Sequence, residues 1–143
     1  MTFDFWGSLQ LIRKHYARSM EPVCHEFDVT RAELDVLTFL DAHPTRDRAS
    51  DIVEFRGLTK SHVSVAAKNL TERGLLEPFP DHYDHRVTHL KLTDRAKPII
   101  AAGREAQKQY FKLIFACYDR RELETFRNIH LKLFEHMKNI GDE

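Results

Sequence analysis

The stretch GLTKSHVSVAAKNLTERGLL, Gly57 to Leu76, concentrates the side chains of this chain that can hold a polyanion. Thr59, Lys60, Ser61, His62, Ser64 and Lys68 offer hydroxyl, imidazole and ammonium donors within a few turns, and Val65 is compact. A helix that enters a DNA groove needs small or polar residues near its N-terminus, so that the backbone approaches closely, and donors for base edges and phosphates. The amides and dipole of its first turn favour a phosphate oxygen at the same place. Lys60, Lys68 and Arg73 outnumber Glu72, so the local charge is positive. The same residues also suit a capped amphipathic helix whose polar face is merely solvated.

A second group follows at DHYDHR. Arg86 suits insertion into a minor groove, where the negative potential favours a guanidinium. Asp84, two residues earlier, can orient it through a charge-assisted pair. As a solvated turn, the pair would contribute only ~0–1 kcal/mol. Other chemistry is poorly represented. There is no GxSxG, Walker loop, HExxH or GxGxxG, so no enzyme is expected.

Cys24 and Cys117 form no CxxC pair and read as buried free thiols, with Cys24 the candidate should the chain sense oxidants. His15, Cys24, His25 and Glu26 lack clean ligand spacing, and only His82, His85 and His89 have it. Neither metal nor cofactor is expected.

These groups need elements to position them. Apolar residues at Trp6, Leu9, Ile12, Tyr16, Met20 and Val23 predict a long first helix, with Pro22 marking a kink or restart near its end. Thr30 and Glu33 form a capping box for a second helix, buried through Leu34, Leu37, Phe39 and Leu40. A short third helix carries Ile52, Val53 and Phe55 inward and closes at Gly57. The donor-rich helix follows, capped by Thr59 or Ser61 and closed at Gly74.

The period then changes to two, which predicts a hairpin with Leu75–Phe79 as one strand and Arg86–Leu92 as the other. Two helices close the chain. Their stripes are Ile99, Gly103, Ala106, Tyr110, Leu113, Cys117, then Leu123, Phe126, His130, Leu133, Met137, Ile140, the last opened by an Asp119/Glu122 box. The fold class is mainly α with a small β-hairpin wing: a winged helix-turn-helix at 30–97, flanked by long helices at 1–29 and 98–143.

With 143 residues, 42% apolar and 31% charged, the chain suits a globular protein. Lys plus Arg and Asp plus Glu balance at 22 each, so any nucleic-acid contact must be local. The lack of a secretory leader or apolar span gives a cytoplasmic expectation.

The run DHRVTHLKLT, Asp84–Thr93, resembles the D-x-R-x-x-x-(apolar)-x-L-T wing pattern of the MarR family of bacterial transcriptional regulators. TRAELDVLTFL resembles that family's second helix, ASDIVEF its third, and LTKSHVSVAAKNLTERGLL its recognition helix. The resemblance spans Thr30 to Lys97 by motif and nearly the whole chain by helix order. It implies a homodimeric regulator, usually a repressor, on a pseudo-palindromic operator of double-stranded DNA.

By position, Lys60, Ser61, His62, Ser64 and Lys68 would contact the major groove and backbone, and Arg86 the minor groove. Ala96 stands where the family commonly has glycine, which bears on how the next helix starts. His82, His85 and His89 replace the usual basic wing residues, so binding is expected to strengthen below the histidine pKa of ~6.5.

Phe3, Phe5, Trp6, Phe111, Phe115, Phe126 and Phe134 exceed what a small winged domain needs and suggest pairing of two chains. For the switch, a small organic effector between the dimer helices and the winged domain is the leading reading. A thiol- or metal-responsive regulator of the same fold, or a winged domain that contacts protein without specific DNA binding, remain alternatives.

Overall fold

The computed structural model describes residues 4–140, so Phe3 lies outside the described residues. Two compact units divide the chain, the first ending at Lys108 and the second beginning at Gln109.

In the first unit, α1 (Phe5–Phe27) opens at Asp4, whose carboxylate accepts the Gly7 N–H at 2.9 Å. It runs unbroken through Pro22, so the expected restart does not occur. A proline inside a helix loses one hydrogen bond but keeps a helical φ, and the Pro22 side chain lies on the exposed side. Asp28 ends the helix at φ 51°, in the left-handed region.

Thr30 and Glu33 then form the expected capping box of α2 (Arg31–Ala42). The Thr30 hydroxyl accepts the Glu33 N–H at 3.1 Å, and the Glu33 carboxylate accepts the Thr30 N–H at 3.0 Å. Next, α3 (Ala49–Arg56) closes at Gly57, where φ is 64°. Finally α4 (Lys60–Glu72) opens on Thr59, whose hydroxyl accepts the His62 N–H at 3.2 Å. Thr59, rather than Ser61, is therefore the cap.

The hairpin pairs β1 (Leu76–Pro80) with β2 (Thr88–Leu92), antiparallel, in the register Leu76↔Leu92 to Pro80↔Thr88. Both strands are shorter or shifted relative to the sequence pattern, and Arg86 lies in the connection rather than in β2. The backbone of that connection is held by the Asp81 side chain and by main-chain bonds from the Asp81 N–H to the Val87 carbonyl and from the Val87 N–H to the Asp84 carbonyl, each 2.9 Å. A 3-10 turn, Asp94–Ala96, precedes α5 (Lys97–Ile114), and Ala96 is fully buried there.

The core sits where α1, α2, α3, α4 and the hairpin meet. Phe39, Met20, Leu34, Leu37, Ile52, Leu70, Val36 and Val63 are its largest fully buried side chains. Each such burial stabilises the fold by ~1.5–3 kcal/mol relative to exposure. Ile52 belongs to this core as expected, whereas Phe55 is exposed at its edge. There the Arg46 guanidinium lies 3.9 Å from the centre of the Phe55 ring.

The α5 stripe holds through Ile99, Gly103 and Tyr110 and then fails. Leu113 is 75% exposed, the helix ends at Ile114, and Cys117 is exposed in the turn that follows. The expectation of a buried thiol at Cys117 is thereby corrected: with the helix ended, its periodicity no longer aims the side chain inward. In the second unit, α6 (Arg120–Ile140) opens on the Asp119/Glu122 box, with both bonds at 2.9 Å. Phe115 packs on Phe126 with ring centres 5.3 Å apart, yet none of the described α6 residues is buried.

Candidate nucleic-acid interface

The amphipathic pattern of α4 divides its residues cleanly. Val63, Ala66 and Leu70 are buried against the core, so Lys60, Ser61, His62, Ser64, Val65 and Lys68 are turned outward. Their placement follows from helical spacing: Lys60, Ser64 and Lys68 recur every fourth residue and share one strip. Thr59 is exposed too, but its hydroxyl is occupied by the cap and lies 3.2 Å from the Ser61 hydroxyl. The face is thus a row of donors over a rigid apolar base.

A cleft of about 500 Å³ runs beside this helix. Lys60 and Ser64 line it from α4, Val53 and Glu54 from α3, and Thr88 and Leu90 from β2. The N-terminal half of α4 and the first half of β2 therefore face one groove.

The hairpin tip is built by two aspartates. One Asp81 carboxylate oxygen accepts the N–H groups of Tyr83 and Asp84, each at 2.9 Å, which folds the connection back on itself. Asp84 then accepts from Arg86 three times: from its N–H at 3.1 Å, its Nε at 3.0 Å and its Nη2 at 3.2 Å. This paired guanidinium depresses the Asp84 pKa. The Arg86 side chain nevertheless stays 91% exposed, so it is aimed without being covered. The Asp84–Arg86 pair expected from the sequence is thus present, with Arg86 in the connection and not in the second strand.

His89 departs from the sequence reading. It does not project from the wing but lies between two carboxylates, Nδ1 2.5 Å from Asp47 Oδ1 and Nε2 2.8 Å from Asp81 Oδ1. The Phe79 ring stacks on it at 5.2 Å. Both carboxylates raise its pKa, Asp47 most, while the bond from His89 helps hold Asp81 down to about 2. His82 and His85 are exposed on the connection as expected.

Sequence reasoning also missed a joint at the far end of α4. Arg73 donates to the main-chain carbonyls of Asp28 at 2.6 Å and Phe27 at 2.9 Å. Asn69 donates to the Glu33 carboxylate at 3.2 Å, and Glu33 is almost fully buried. The donor-rich helix is thereby fastened to the junction of α1 and α2. Bonds to carbonyls leave no mark on residue type, so no motif could have shown them.

The remaining candidates are more scattered. Cys24 is half-buried, and that desolvation raises its thiol pKa, with Arg31 opposing. His15, His25 and Glu26 are exposed along α1. Among the described residues, no group of three or more His, Cys, Asp or Glu side chains is placed to hold a metal ion. Among them also, no helix is long and apolar enough to cross a membrane.

Three solved structures share this architecture. S. aureus MepR in its DNA-binding conformation superposes with a TM-score of 0.80 at 19% identity, over 94% of this chain and 99% of that one. The S. aureus MepR–DNA complex gives 0.77 at 19% identity, with the same coverage. A MarR-family transcriptional regulator from Silicibacter pomeroyi gives 0.78 at 18% identity, over 90% of this chain and 86% of that one.

No curated protein matches the chain in sequence. A sequence model of the MarR family, whose members are regulators and not enzymes, matches residues 27–86, from the end of α1 to the wing arginine. Over that segment the chain is similar to the MarR family, and it shares the winged helix-turn-helix fold of these structures.

Proposed function

We propose that this protein is a sequence-specific, DNA-binding transcriptional regulator that acts as a homodimer on a pseudo-palindromic operator, as a ligand-responsive repressor. The observation that carries the reading is the pairing of an outward row of donors on α4 with an exposed arginine held in place by Asp84. In this reading Lys60, Ser61, His62, Ser64 and Lys68, with Thr59 and Val65 beside them, meet the major groove and its phosphates. Arg86 enters the adjacent minor groove. The positive strip is local, as a chain of zero net charge requires.

The dimer is supported by apolar side chains left exposed among the described residues. Trp6 is 75% and Ile129 61% exposed, and Phe126, Leu133, Phe134, Met137 and Ile140 are exposed along α6. Contiguous apolar faces of this kind mark interfaces. A two-fold dimer would present two copies of α4 about one DNA turn apart. The effector reading is supported by a cleft of about 370 Å³ bounded by Arg13 and Tyr16 of α1, Arg31 and Asp35 of α2, and Leu58. An occupant there would touch α1 and the winged domain together, and would favour one arrangement of them over another.

Fluorescence anisotropy on the protein's own upstream promoter DNA and on a shuffled duplex, across a salt series, tests the reading. Selective binding is expected, with a steep salt slope. Arg86→Ala should weaken it by ~1–3 kcal/mol, and Lys68→Ala should reduce the salt slope by ~1. Equal, weak binding to every promoter duplex tried, unchanged by either substitution, overturns it. Sedimentation at micromolar concentration checks the dimer, which a monomer there would refute.

A further inference from the structure

We infer that His89 is a positioning residue for the wing arginine: as an imidazolium clamped between Asp47 and Asp81 it ties the hairpin to the loop before α3, and loss of its proton releases that tie. The inference rests on the DNA-binding reading for its consequence but not for its geometry.

The geometry needs a cation. A neutral imidazole carries one N–H, so it can donate to one carboxylate only, and its other nitrogen presents a lone pair. Here both ring nitrogens lie within hydrogen-bond distance of carboxylate oxygens, at 2.5 and 2.8 Å. With both aspartates ionised, only the doubly protonated ring satisfies both contacts. Asp81 is held low enough to be ionised near neutrality, and the His89 pKa is raised by its two partners.

The tie leads straight to the tip. Asp47 belongs to the loop between α2 and α3, and its carbonyl also accepts the Leu90 N–H at 2.8 Å, so body and hairpin meet at one residue. Asp81 uses one oxygen for His89 and the other for the N–H groups of Tyr83 and Asp84. Asp84 in turn holds Arg86. An unbroken set of bonds therefore runs from the α2–α3 loop through the His89 ring to the guanidinium. Other charges on the packed elements include Arg46 and Arg48 of the α2–α3 loop, the field of Arg48 reaching Asp84, Asp51 and Glu54 of α3, and Glu77 of β1 opposite Lys91 of β2. None of them replaces a donor on the ring.

The sign follows from linkage. A group whose pKa is raised in the folded state contributes fully below its unfolded value of ~6.5, and that contribution is lost as pH rises through the folded pKa. The clamp is thus closed below ~6.5 and opens as pH rises through the raised pKa of His89. This differs from simple attraction by wing histidines, because the His89 ring points into the protein and acts through Arg86. His62, His82 and His85 also lie on the exposed face, so the informative quantity is the difference between wild type and a His89 variant at each pH.

The test uses the full chain, and every variant is first checked by circular dichroism. Imidazole 15N–1H spectra without DNA should show both His89 ring nitrogens protonated below ~6.5, with the titration displaced above that value. Asp81→Asn should bring that titration down. Operator affinity of the wild type should then fall on the order of tenfold across the His89 titration, relative to His89→Gln, the size expected for one charge-assisted hydrogen bond withdrawn.

A His89 ring that titrates at or below ~6.5 overturns the inference, as do parallel pH profiles for wild type and His89→Gln. If His89→Gln does not fold, Asp81→Asn and Asp47→Asn carry the same comparison. If no operator is bound at any pH while His89 titrates high and the wing amides lose protection as it does so, the clamp stands and the proposed function falls.

Discussion

Gly103 sits in α5 where that helix crosses α2, and replacing it by alanine sets two effects of known size against each other. Helix propensity favours alanine by ~1 kcal/mol in a helix interior. Space opposes it. A methyl group at Gly103 would lie 3.1 Å from Leu34 Cδ1 and 3.1 Å from Thr38 Cγ2, closer than such carbons pack. Neither neighbour yields easily. Leu34 is fully buried, and Thr38 is fixed by its hydroxyl, which donates to the Leu34 carbonyl at 2.9 Å.

Overpacking of a well-filled core costs ~1–3 kcal/mol. The net expectation for Gly103→Ala is therefore a loss of about 1 kcal/mol, or ~2–4 °C in the melting midpoint for a chain of this size. Urea denaturation at one fixed protein concentration measures it. Thr38→Ser sharpens the test, because serine keeps the hydroxyl bond and removes the methyl that the new alanine meets. The double mutant should recover about 1 kcal/mol relative to additivity. If Gly103→Ala is more stable than wild type and Thr38→Ser simply adds to it, the close approach of α5 to α2 is wrong.

Three further outcomes follow from the same structure. Thr59→Ala should cost ~1 kcal/mol of stability through the lost helix cap, with most of it restored by Thr59→Ser, as thermal melts would show. On the acid side, Asp81 is held down to about 2 from 3.8, so its contribution is present above ~4 and lost as pH falls towards that value; amide exchange in the wing connection should accelerate over that window and not above it. The raised Cys24 thiol makes little thiolate at neutral pH, so peroxide at levels that oxidise free low-pKa thiols should leave DNA binding intact, and a loss of binding abolished by Cys24→Ser would refute this.

Much of the fold was legible because it is written in local chemistry. Thr30 with Glu33, Asp119 with Glu122, and the glycines at 57 and 74 each fix a helix end within a few residues. The alternation through Leu90 and Leu92 fixes the hairpin. The donor row on α4 and the Asp84–Arg86 pair were readable for the same reason, since their partners are neighbours in sequence.

What escaped was long-range. Asp47 and His89 meet across 42 positions, and nothing in the type of either residue says so. The end of α5 was misjudged because periodicity reports a stripe but not where the helix carrying it stops.

The bond from Arg73 to the carbonyls of Phe27 and Asp28 has an evolutionary consequence. Every residue has a carbonyl, so this joint depends on Arg73 and on the path of the backbone, but not on what stands at positions 27 and 28. Substitutions at position 28, including a glycine in its left-handed conformation, can retune the end of α1 while α4 stays fastened. A protein of this form can therefore vary the end of α1 and keep α4 in register.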